Sequence, residues 1–264
     1  MNNVNFLKKK ASQIRLKTCE LSNKAKAAHL GSALSVIDIL VCIFFSKIFK
    51  IKKNNKYDKF ILSKGHAAAA LYSCLAEKGF IKKIDLNKFG KKNSIYEEHP
   101  NFKINGVLTS TGSLGHGLSF GAGIALAEKI KNKNNKIITL LSDGECNEGA
   151  VWEAAGFASA KNLNHLIALI DYNKWQATGK SDEIFGGNLK SKWMSFGWKT
   201  YKIKGNHIPS ILKILKKTNK KKPIAIICDT IKGSGIKFME NDNNWHYRVP
   251  NKKELDKIKL LLNI

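Results

Sequence analysis

Three short apolar runs, each ending at or just before an aspartate, constrain the fold of this chain most. The runs are 136–142, 165–171 and 223–229, and the aspartates are Asp143, Asp171 and Asp229. Continuous apolar runs of this length are typical of parallel strands buried on both faces of a sheet. Helical patterns accompany them over about 8–28, 33–48, 66–79, 116–131, 148–161 and 207–219. The sequence therefore predicts an α/β fold, a parallel sheet with helices on both faces.

The positions of the three aspartates predict where a ligand binds. In open parallel sheets, ligands occupy the crevice beyond the carboxyl ends of the strands. Asp143, Asp171 and Asp229 would all lie at that edge, each followed by small or polar residues such as Gly144 and Asn173. We therefore expect the functional site at the carboxyl edge of the sheet.

The composition is that of a globular domain with an unusual charge. The 264 residues are 43% hydrophobic and 25% charged, which excludes a disordered chain, a collagen and a disulfide scaffold, and predicts a single domain over 1–264. The formal net charge is +26, and a strongly positive charge is typical of proteins that bind nucleic acids. Arg15 and Arg248 are the only arginines, however, and arginine is the residue best suited to phosphate and base recognition. We therefore interpret the lysines as a solvated surface and expect no nucleic-acid partner.

Cysteine usage and hydropathy bear on the compartment. The five cysteines are an odd number without a Cys-x-x-Cys pair, which favours a reducing environment. The longest apolar run, 34–45, is interrupted by Asp38 and is too short to span a bilayer. The first residues are polar and lysine-rich, unlike a signal peptide. We expect a cytoplasmic protein with no membrane partner.

The segment 142–149, Ser-Asp-Gly-Glu-Cys-Asn-Glu-Gly, carries the strongest chemical pattern. Asp143 offers a carboxylate, Asn173 an amide oxygen, and a backbone carbonyl beyond Asn173 a third oxygen. Mg²⁺ takes about six oxygen ligands and usually obtains the remainder from phosphates and water. Gly144 lets the backbone approach a diphosphate closely, and a helix opening near Glu148 would point its amides at the same anion. The pattern therefore predicts a site for a divalent cation and a diphosphate.

This segment resembles the diphosphate-binding signature of thiamine-diphosphate enzymes, Gly-Asp-Gly followed further along by Asn. Ser142 stands where the first glycine is typical, a small residue that we expect to be tolerated. The chain from about residue 10 to 250 also resembles transketolase, through several segments in the expected order. These are Ala-His-Leu-Gly-Ser-Ala-Leu-Ser at 28–35, Leu-Ser-Lys-Gly-His-Ala at 62–67, His-Pro at 99–100, Thr-Gly-Ser-Leu-Gly-His-Gly at 111–117, Asp-Thr-Ile-Lys-Gly-Ser-Gly at 229–235 and Trp-His at 245–246.

The resemblance implies a role for each matched residue. The divalent ion, Mg²⁺ or another, would be ligated by Asp143, Asn173 and the carbonyl of Trp175. Thiamine diphosphate would be bound by His66, Gly112, Leu114, Gly144, Glu148, Asn173 and His246. The catalytic histidines of the substrate channel would be His29, His66, His99 and His246. The role of His116 is left open, because many transketolases have glutamine there.

The resemblance also implies an assembly. A transketolase has three domains, and the pyrimidine-binding and C-terminal domains find no counterpart in this sequence. We therefore expect the partner to be a separate C-terminal transketolase subunit, with self-association into a heterotetramer of two chains of each kind. The implied reaction moves a two-carbon ketol unit from a ketose phosphate to an aldose phosphate through a thiamine-diphosphate adduct, as in the pentose phosphate pathway.

Two alternatives remain open. The chain could be half of another thiamine-diphosphate enzyme, such as a deoxyxylulose-phosphate synthase. It could also be a non-catalytic, lysine-rich binding protein. Donor and acceptor tests separate the first, and salt-sensitive nucleic-acid binding would indicate the second.

Overall fold

A computed structural model describes residues 4–217 and 221–263 of the chain. Within these ranges five parallel strands form one sheet in the order β1-β2-β3-β5-β4. The strands are β1 (Lys59–Leu62), β2 (Ile137–Ser142), β3 (Leu166–Tyr172), β4 (Lys199–Lys204) and β5 (Ile224–Asp229). The helices are α1 (Val4–Ala25), α2 (Leu30–Leu34), α3 (Ile37–Phe45), α4 (Ala68–Lys78), α5 (His116–Ile130), α6 (Gly149–Ala160), α7 (Ser181–Ile184), α8 (Leu189–Ser195), α9 (Ile208–Leu215) and α10 (Lys252–Leu262).

The sheet is buried on both faces, as the apolar runs predict. Along β2, Ile138 and Leu140 pack into a core shared with α1, α3 and α4. Ile137 and Leu141, on the opposite face of β2, pack with α5 and α6. Each face of a strand meets its own helix layer, so both side-chain sets must be apolar. The predicted fold class is confirmed.

Both edge strands escaped the sequence analysis. The three predicted strands are β2, β3 and β5, each within a residue of its expected bounds. β1 has only four residues, and three of the six residues of β4, Lys-Thr-Tyr-Lys-Ile-Lys, are lysines. Short length and exposed lysines on an edge strand prevent pairing with other chains, and they also remove the apolar signal.

Helix bounds differ from expectation most clearly over 33–48. That stretch contains two helices, α2 and α3, because Ser35 and Val36 form a turn between them. The Ser35 hydroxyl bonds to Ser32 O at 2.9 Å and to the Asp171 carboxylate at 2.7 Å. The second of these hydrogen bonds connects the turn to the end of β3. Of the helix expected over 207–219, Ile208–Leu215 is helical, and 218–219 lie outside the described residues.

The cysteines are structural. All five are free, buried thiols, and burial raises the pKa of Cys19 to about 12. Thiols that stay protonated in an apolar core are unreactive. Among the described helices, none combines the length and the apolar character that crossing a bilayer requires.

The carboxyl ends of the strands meet at one edge of the sheet. Lys64 follows β1, Asp143 follows β2, Asn173 follows β3 and Thr230 follows β5. The parallel register thus brings residues from distant parts of the sequence together there.

Candidate active site

A cavity of about 320 Å³ opens at the carboxyl edge of the sheet. It is lined by His29, Ser32, His66, His99, Gly112, Leu114, Ser142, Gly144, Glu145, Glu148, Asn173, Trp175, Gln176, Ala177 and His246. Every predicted site residue is in this lining except Asp143, which is buried beside it with 5% of its surface exposed. A larger depression, of about 640 Å³, lies around Lys129 and Lys133 at the opposite edge of the sheet. The smaller cavity is the candidate site, because, apart from Asp143, the residues predicted to bind the cation, the cofactor and the substrate line it.

Asp143 is held by one carboxylate oxygen and presents the other. Its Oδ2 accepts hydrogen bonds from Lys174 N and Ser181 Oγ, both at 2.8 Å. Its Oδ1 is buried and receives no hydrogen bond of normal geometry from the described residues. Burial, and then the nearby charge of Asp171, raise the pKa of Asp143 to about 6. A buried carboxylate with an unpartnered oxygen is the arrangement that a cation would complete.

Asn173 supplies the second oxygen. Its Nδ2 donates to Asp171 Oδ2 at 2.9 Å, and its Oδ1 accepts from Trp175 N at 3.0 Å. Trp175 pairs with Lys180 in an isolated bridge, whose hydrogen bonds run from Gln176 N to Gly179 O and from Ser181 N to Lys174 O. The bridge therefore does not use the Trp175 carbonyl.

The donor set fits a hard divalent cation. Carboxylate, amide and backbone carbonyl oxygens are the ligands that Mg²⁺ takes together with phosphate and water. Among the described residues, no group of three or more His, Cys, Asp or Glu side chains could hold a metal. These residues therefore offer no set of ligands for a zinc site. A magnesium site built from Asp143, Asn173 and the Trp175 carbonyl needs only one carboxylate.

The histidines form a chain of rings along one wall of the cavity. The ring centroids of His29 and His246 are 4.9 Å apart, and those of His29 and His66 are 5.4 Å apart. His29 precedes α2 in a left-handed conformation, with φ of 65°. Such a conformation is uncommon for a residue with a side chain, and it is often found at functional sites.

Three histidines of the cavity wall are neutral near pH 7. Burial lowers the pKa of His66 well below its usual value, and burial also lowers that of His29. Burial, and then the charge of Lys232, lower the pKa of His246 to about 4. Because the Lys232 ammonium can only donate, its 3.1 Å contact with His246 Nδ1 makes that nitrogen the acceptor. The proton of His246 therefore sits on Nε2.

Gly112 and His99 form the rim of the cavity. A Cβ on Gly112 would lie 3.0 Å from His99 Cδ2, and its φ of 152° strains any other residue. His99 itself is exposed, and its carbonyl accepts from the Tyr72 hydroxyl at 2.8 Å. His116 is the first residue of α5 and is exposed. It lines a separate depression with Phe120, not the candidate site.

A hydrogen bond between Ser142 and Glu145 explains why serine rather than glycine stands at position 142. Glu145 is completely buried, and its carboxylate accepts from Gly115 N at 2.9 Å, Ser142 N at 3.2 Å and the Ser63 hydroxyl. Ser142 Oγ in turn accepts from Glu145 N at 3.2 Å. Burial raises the pKa of Glu145. The serine hydroxyl thus satisfies the amide of a residue that links two walls of the site, which glycine could not do.

Two buried lysines behind the cavity wall were not among the predicted site residues. The Lys64 and Lys232 side chains are both fully buried. Lys64 pairs with Asp171 at 2.5 Å, whereas Lys232 makes no ion pair with any described residue and bonds to Asn243 Oδ1 at 2.5 Å. Burial, and then the charge of Lys64, lower the pKa of Lys232 to about 8. The available signal was a lysine inside each of two glycine-containing motifs, Ser-Lys-Gly-His and Ile-Lys-Gly-Ser.

The fold and the motifs place this chain among the thiamine-diphosphate-binding folds of transketolases. It is similar to the crystal structure of transketolase from Campylobacter jejuni, with a TM-score of 0.90, 26% identity, and coverage of 99% of this chain and 43% of that one. Residues 7–263 match the family described as the transketolase thiamine diphosphate binding domain. The chain belongs to this family, and the resemblance that its motifs carry is confirmed.

Its relatives differ in length. The chain is 34% identical over 259 residues to an apulose-4-phosphate transketolase subunit of Phocaeicola vulgatus, covering 96% of this chain and 92% of that protein. It is 37% identical over 242 residues to the 6-deoxy-6-sulfo-D-fructose transketolase subunit SqwG of a Clostridium species, covering 89% and 88%. It is 33% identical to human transketolase-like protein 2, covering 98% of this chain but 42% of that protein. The chain thus spans about two fifths of the longer relatives and most of the subunit-type ones.

Proposed function

We propose that this chain is the N-terminal, diphosphate-binding subunit of a two-chain transketolase. The observation that carries the proposal is the cavity in which the predicted residues converge beside the unpartnered Oδ1 of Asp143. The two relatives named as subunits are matched over most of their own length, 92% and 88%. We infer that a separate subunit supplies the pyrimidine-binding and C-terminal domains, in a heterotetramer with two copies of each chain.

The residues around the cavity suit an anionic, metal-linked cofactor. Thiamine diphosphate, when bound, supplies the chemistry that breaks and forms a carbon–carbon bond beside a carbonyl group. Asp143, Asn173 and the Trp175 carbonyl would hold the divalent ion. Gly144, which has no Cβ, would let the backbone approach the diphosphate. A Cβ there would also lie 2.9 Å from Gln176 Cγ.

We propose that Lys232 contributes positive charge to a bound diphosphate from behind the cavity wall, where its ammonium contacts His246 Nδ1 at 3.1 Å. Its ammonium is buried without an acidic partner among the described residues, an arrangement that costs free energy until an anion binds. The Nε2–H of His246 is the second donor, because Lys232 occupies the other ring nitrogen. An anion beside these two groups would be bound by charge and by hydrogen bonds together.

The histidines would serve the substrate. His29, His66 and His246 are neutral near pH 7, so each ring offers one N–H donor and one acceptor nitrogen. With His99 at the rim, these groups could orient a sugar by its hydroxyls and transfer protons to or from it. Leu114 and Glu148 line the same cavity, where Leu114 would contact the cofactor ring and Glu148 would lie at the subunit contact near the cofactor.

The proposed substrates are anionic sugars. We propose transfer of a two-carbon ketol unit from a ketose phosphate to an aldose phosphate. The names of the two subunit-type relatives specify a ketose phosphate in one case and a sulfonated ketose in the other. Assays should therefore include both classes of donor, along with the pentose phosphates that the resemblance implies.

Calorimetric titration tests the proposal. Thiamine diphosphate with Mg²⁺ is titrated into this chain alone and into this chain with a candidate C-terminal subunit. We expect weak, Mg²⁺-dependent binding by the chain alone, much tighter binding by the pair, and ketol transfer by the pair only. Robust transfer by the isolated chain would contradict the two-chain proposal, and absence of binding in both cases would contradict the site.

A further inference from the structure

Asp171, at the end of β3, is fully buried and receives hydrogen bonds from four side chains. Its Oδ2 accepts from Lys64 Nζ at 2.5 Å, Ser35 Oγ at 2.7 Å and Asn173 Nδ2 at 2.9 Å, and its Oδ1 accepts from Thr230 Oγ1 at 2.5 Å. These donors come from four separate segments of the chain. Asp171 therefore cannot rotate without breaking contacts to the loops after β1 and β5 and to the turn between α2 and α3.

The contact with Asn173 determines which end of that amide faces the site. An ionised carboxylate only accepts hydrogen bonds, so it must meet the NH₂ end of the amide. Asn173 Oδ1 then points the other way, towards Trp175 N and the cavity. The reversed amide would set two oxygens against each other at Asp171 and turn an N–H₂ group towards a bound cation.

We propose that Asp171 is a positioning residue, which holds Asn173 so that its amide oxygen faces a divalent cation bound with the diphosphate. The inference rests on the proposed function and deepens it, because it explains why residue 173 is an amide. An amide donates to Asp171 through its nitrogen and offers a separate oxygen to the cation, whereas an ionised carboxylate could not donate to Asp171. Residues around metal ligands commonly fix ligand orientation in this way.

A test must remove the acceptor without leaving a buried charge. The Lys64 and Asp171 side chains form an ion pair with 0% exposure on both sides. Removing one partner of such a pair is strongly destabilising in its own right. We therefore compare two variants that both carry Lys64→Met. One has Asp171→Asn, which keeps an oxygen acceptor for Asn173, and the other has Asp171→Leu, which has a similar size and no acceptor.

The measurement is Mn²⁺ binding in the presence of thiamine diphosphate, followed by electron paramagnetic resonance. We expect the double variant with Asp171→Asn to bind Mn²⁺ within about threefold of the unmodified chain, and the one with Asp171→Leu to bind about 10- to 100-fold more weakly. Equal binding by the two variants would overturn the inference while leaving the proposed function intact. Failure of the unmodified chain to bind Mn²⁺ both alone and with the candidate C-terminal subunit would contradict both.

A second ion pair provides the control for general loss of stability. Lys59 and Glu128 pair at 2.9 Å with 11% exposure on each side, away from the candidate site. The single variant Lys59→Met, which leaves Glu128 without its ion-pair partner, should lower the melting temperature without changing Mn²⁺ affinity. A comparable loss of affinity there would attribute the effect to stability and overturn the inference.

Hydrogen exchange in the unmodified, metal-free chain provides a readout that does not depend on the folding of the Asp171 variants. The side-chain NH₂ of Asn173 should exchange far more slowly than that of the exposed Asn132, since it is buried against Asp171. The signal is assigned by its loss in Asn173→Asp. Fast exchange would overturn the inference even if the Asp171→Leu variant failed to fold.

Discussion

His29 and His246 contact each other through both backbone and side chain. The backbone N–H of His29 donates to the carbonyl of His246 at 2.7 Å, and the two rings stand edge to face with centroids 4.9 Å apart. The first of these residues precedes α2 and the second closes a 3₁₀ turn over Asn243–His246. The two histidines therefore help to position one another although they lie far apart in the sequence.

Acid should destabilise the fold through these histidines. The pKa of His246 is about 4 in the folded chain and about 6.5 when unfolded, so the unfolded chain binds more protons between these values. Stability contributed by neutral His246 is present above pH 6.5 and is lost as the pH falls through 4, by at most about 3 kcal/mol. His246→Gln should therefore reduce the difference in unfolding free energy between pH 7 and 4.5, measured with urea. His207→Gln, at an exposed histidine before α9, should leave that difference unchanged.

Asp143→Asn should raise the stability of the folded chain and abolish cation-dependent cofactor binding. With a pKa raised to about 6, the folded chain carries an unfavourable buried charge above that pH, and the stability penalty grows as the pH rises from 3.8 through 6. The asparagine variant should melt at a higher temperature than the unmodified chain at pH 7.5, yet lose Mg²⁺-dependent binding of thiamine diphosphate. Asp182→Asn, at an exposed aspartate, serves as the control. A variant that melts lower and still binds would refute the cation role.

Lys232→Met should likewise raise the stability of the cofactor-free chain and weaken its binding of the anionic cofactor. Because burial lowers the pKa of Lys232 to about 8 from 10.5, its charge destabilises the cofactor-free chain below pH 8, and this cost is relieved as the pH rises towards 10.5. The methionine variant should therefore be more stable at pH 7 and should bind thiamine diphosphate at least about tenfold more weakly. Melting curves and calorimetry check the two parts. Unchanged affinity in Lys232→Met, with Lys213→Met on the exposed face of α9 as reference, would exclude an anion role.

Ser142→Gly should restore the usual glycine at a cost in stability. The change removes the hydrogen bond from Glu145 N to Ser142 Oγ and adds backbone freedom, which together should cost about 1 kcal/mol or somewhat more. Cofactor affinity should change less than about threefold, since Ser142 contributes no charge to the site. Chemical denaturation and titration measure both quantities. A large gain in affinity would mean that the serine hydroxyl obstructs the diphosphate.

The strand ends, and with them the edge of the sheet where the site lies, could be predicted from sequence because burial on both faces leaves long apolar runs. β1 and β4 could not, since edge strands are short and carry lysines such as Lys199 and Lys204. The break between α2 and α3 was also hidden. The turn at that break is bonded through Ser35 to Asp171, a contact between residues far apart in the chain.

The motif residues were predicted by family resemblance, whereas their supporting residues were not. Lys64 and Lys232 look like two more lysines in a chain rich in them, and only the fold reveals that both are buried. Ser181 was missed for a similar reason, because a hydroxyl that bonds to Asp143 has no distinguishing local pattern. The burial of a side chain and the identity of its partners depend on tertiary structure, which a local sequence motif does not predict.

The contact between His29 and His246 has a consequence for biosynthesis. A nascent chain emerges from the ribosome in order, so His29 is exposed to the cell well before the residue that it must meet. The site depends on contacts between distant segments, and such contacts form late in folding. Cofactor could therefore be captured only after residue 246 has been made, and fragments that end before it would remain without cofactor and open to proteases.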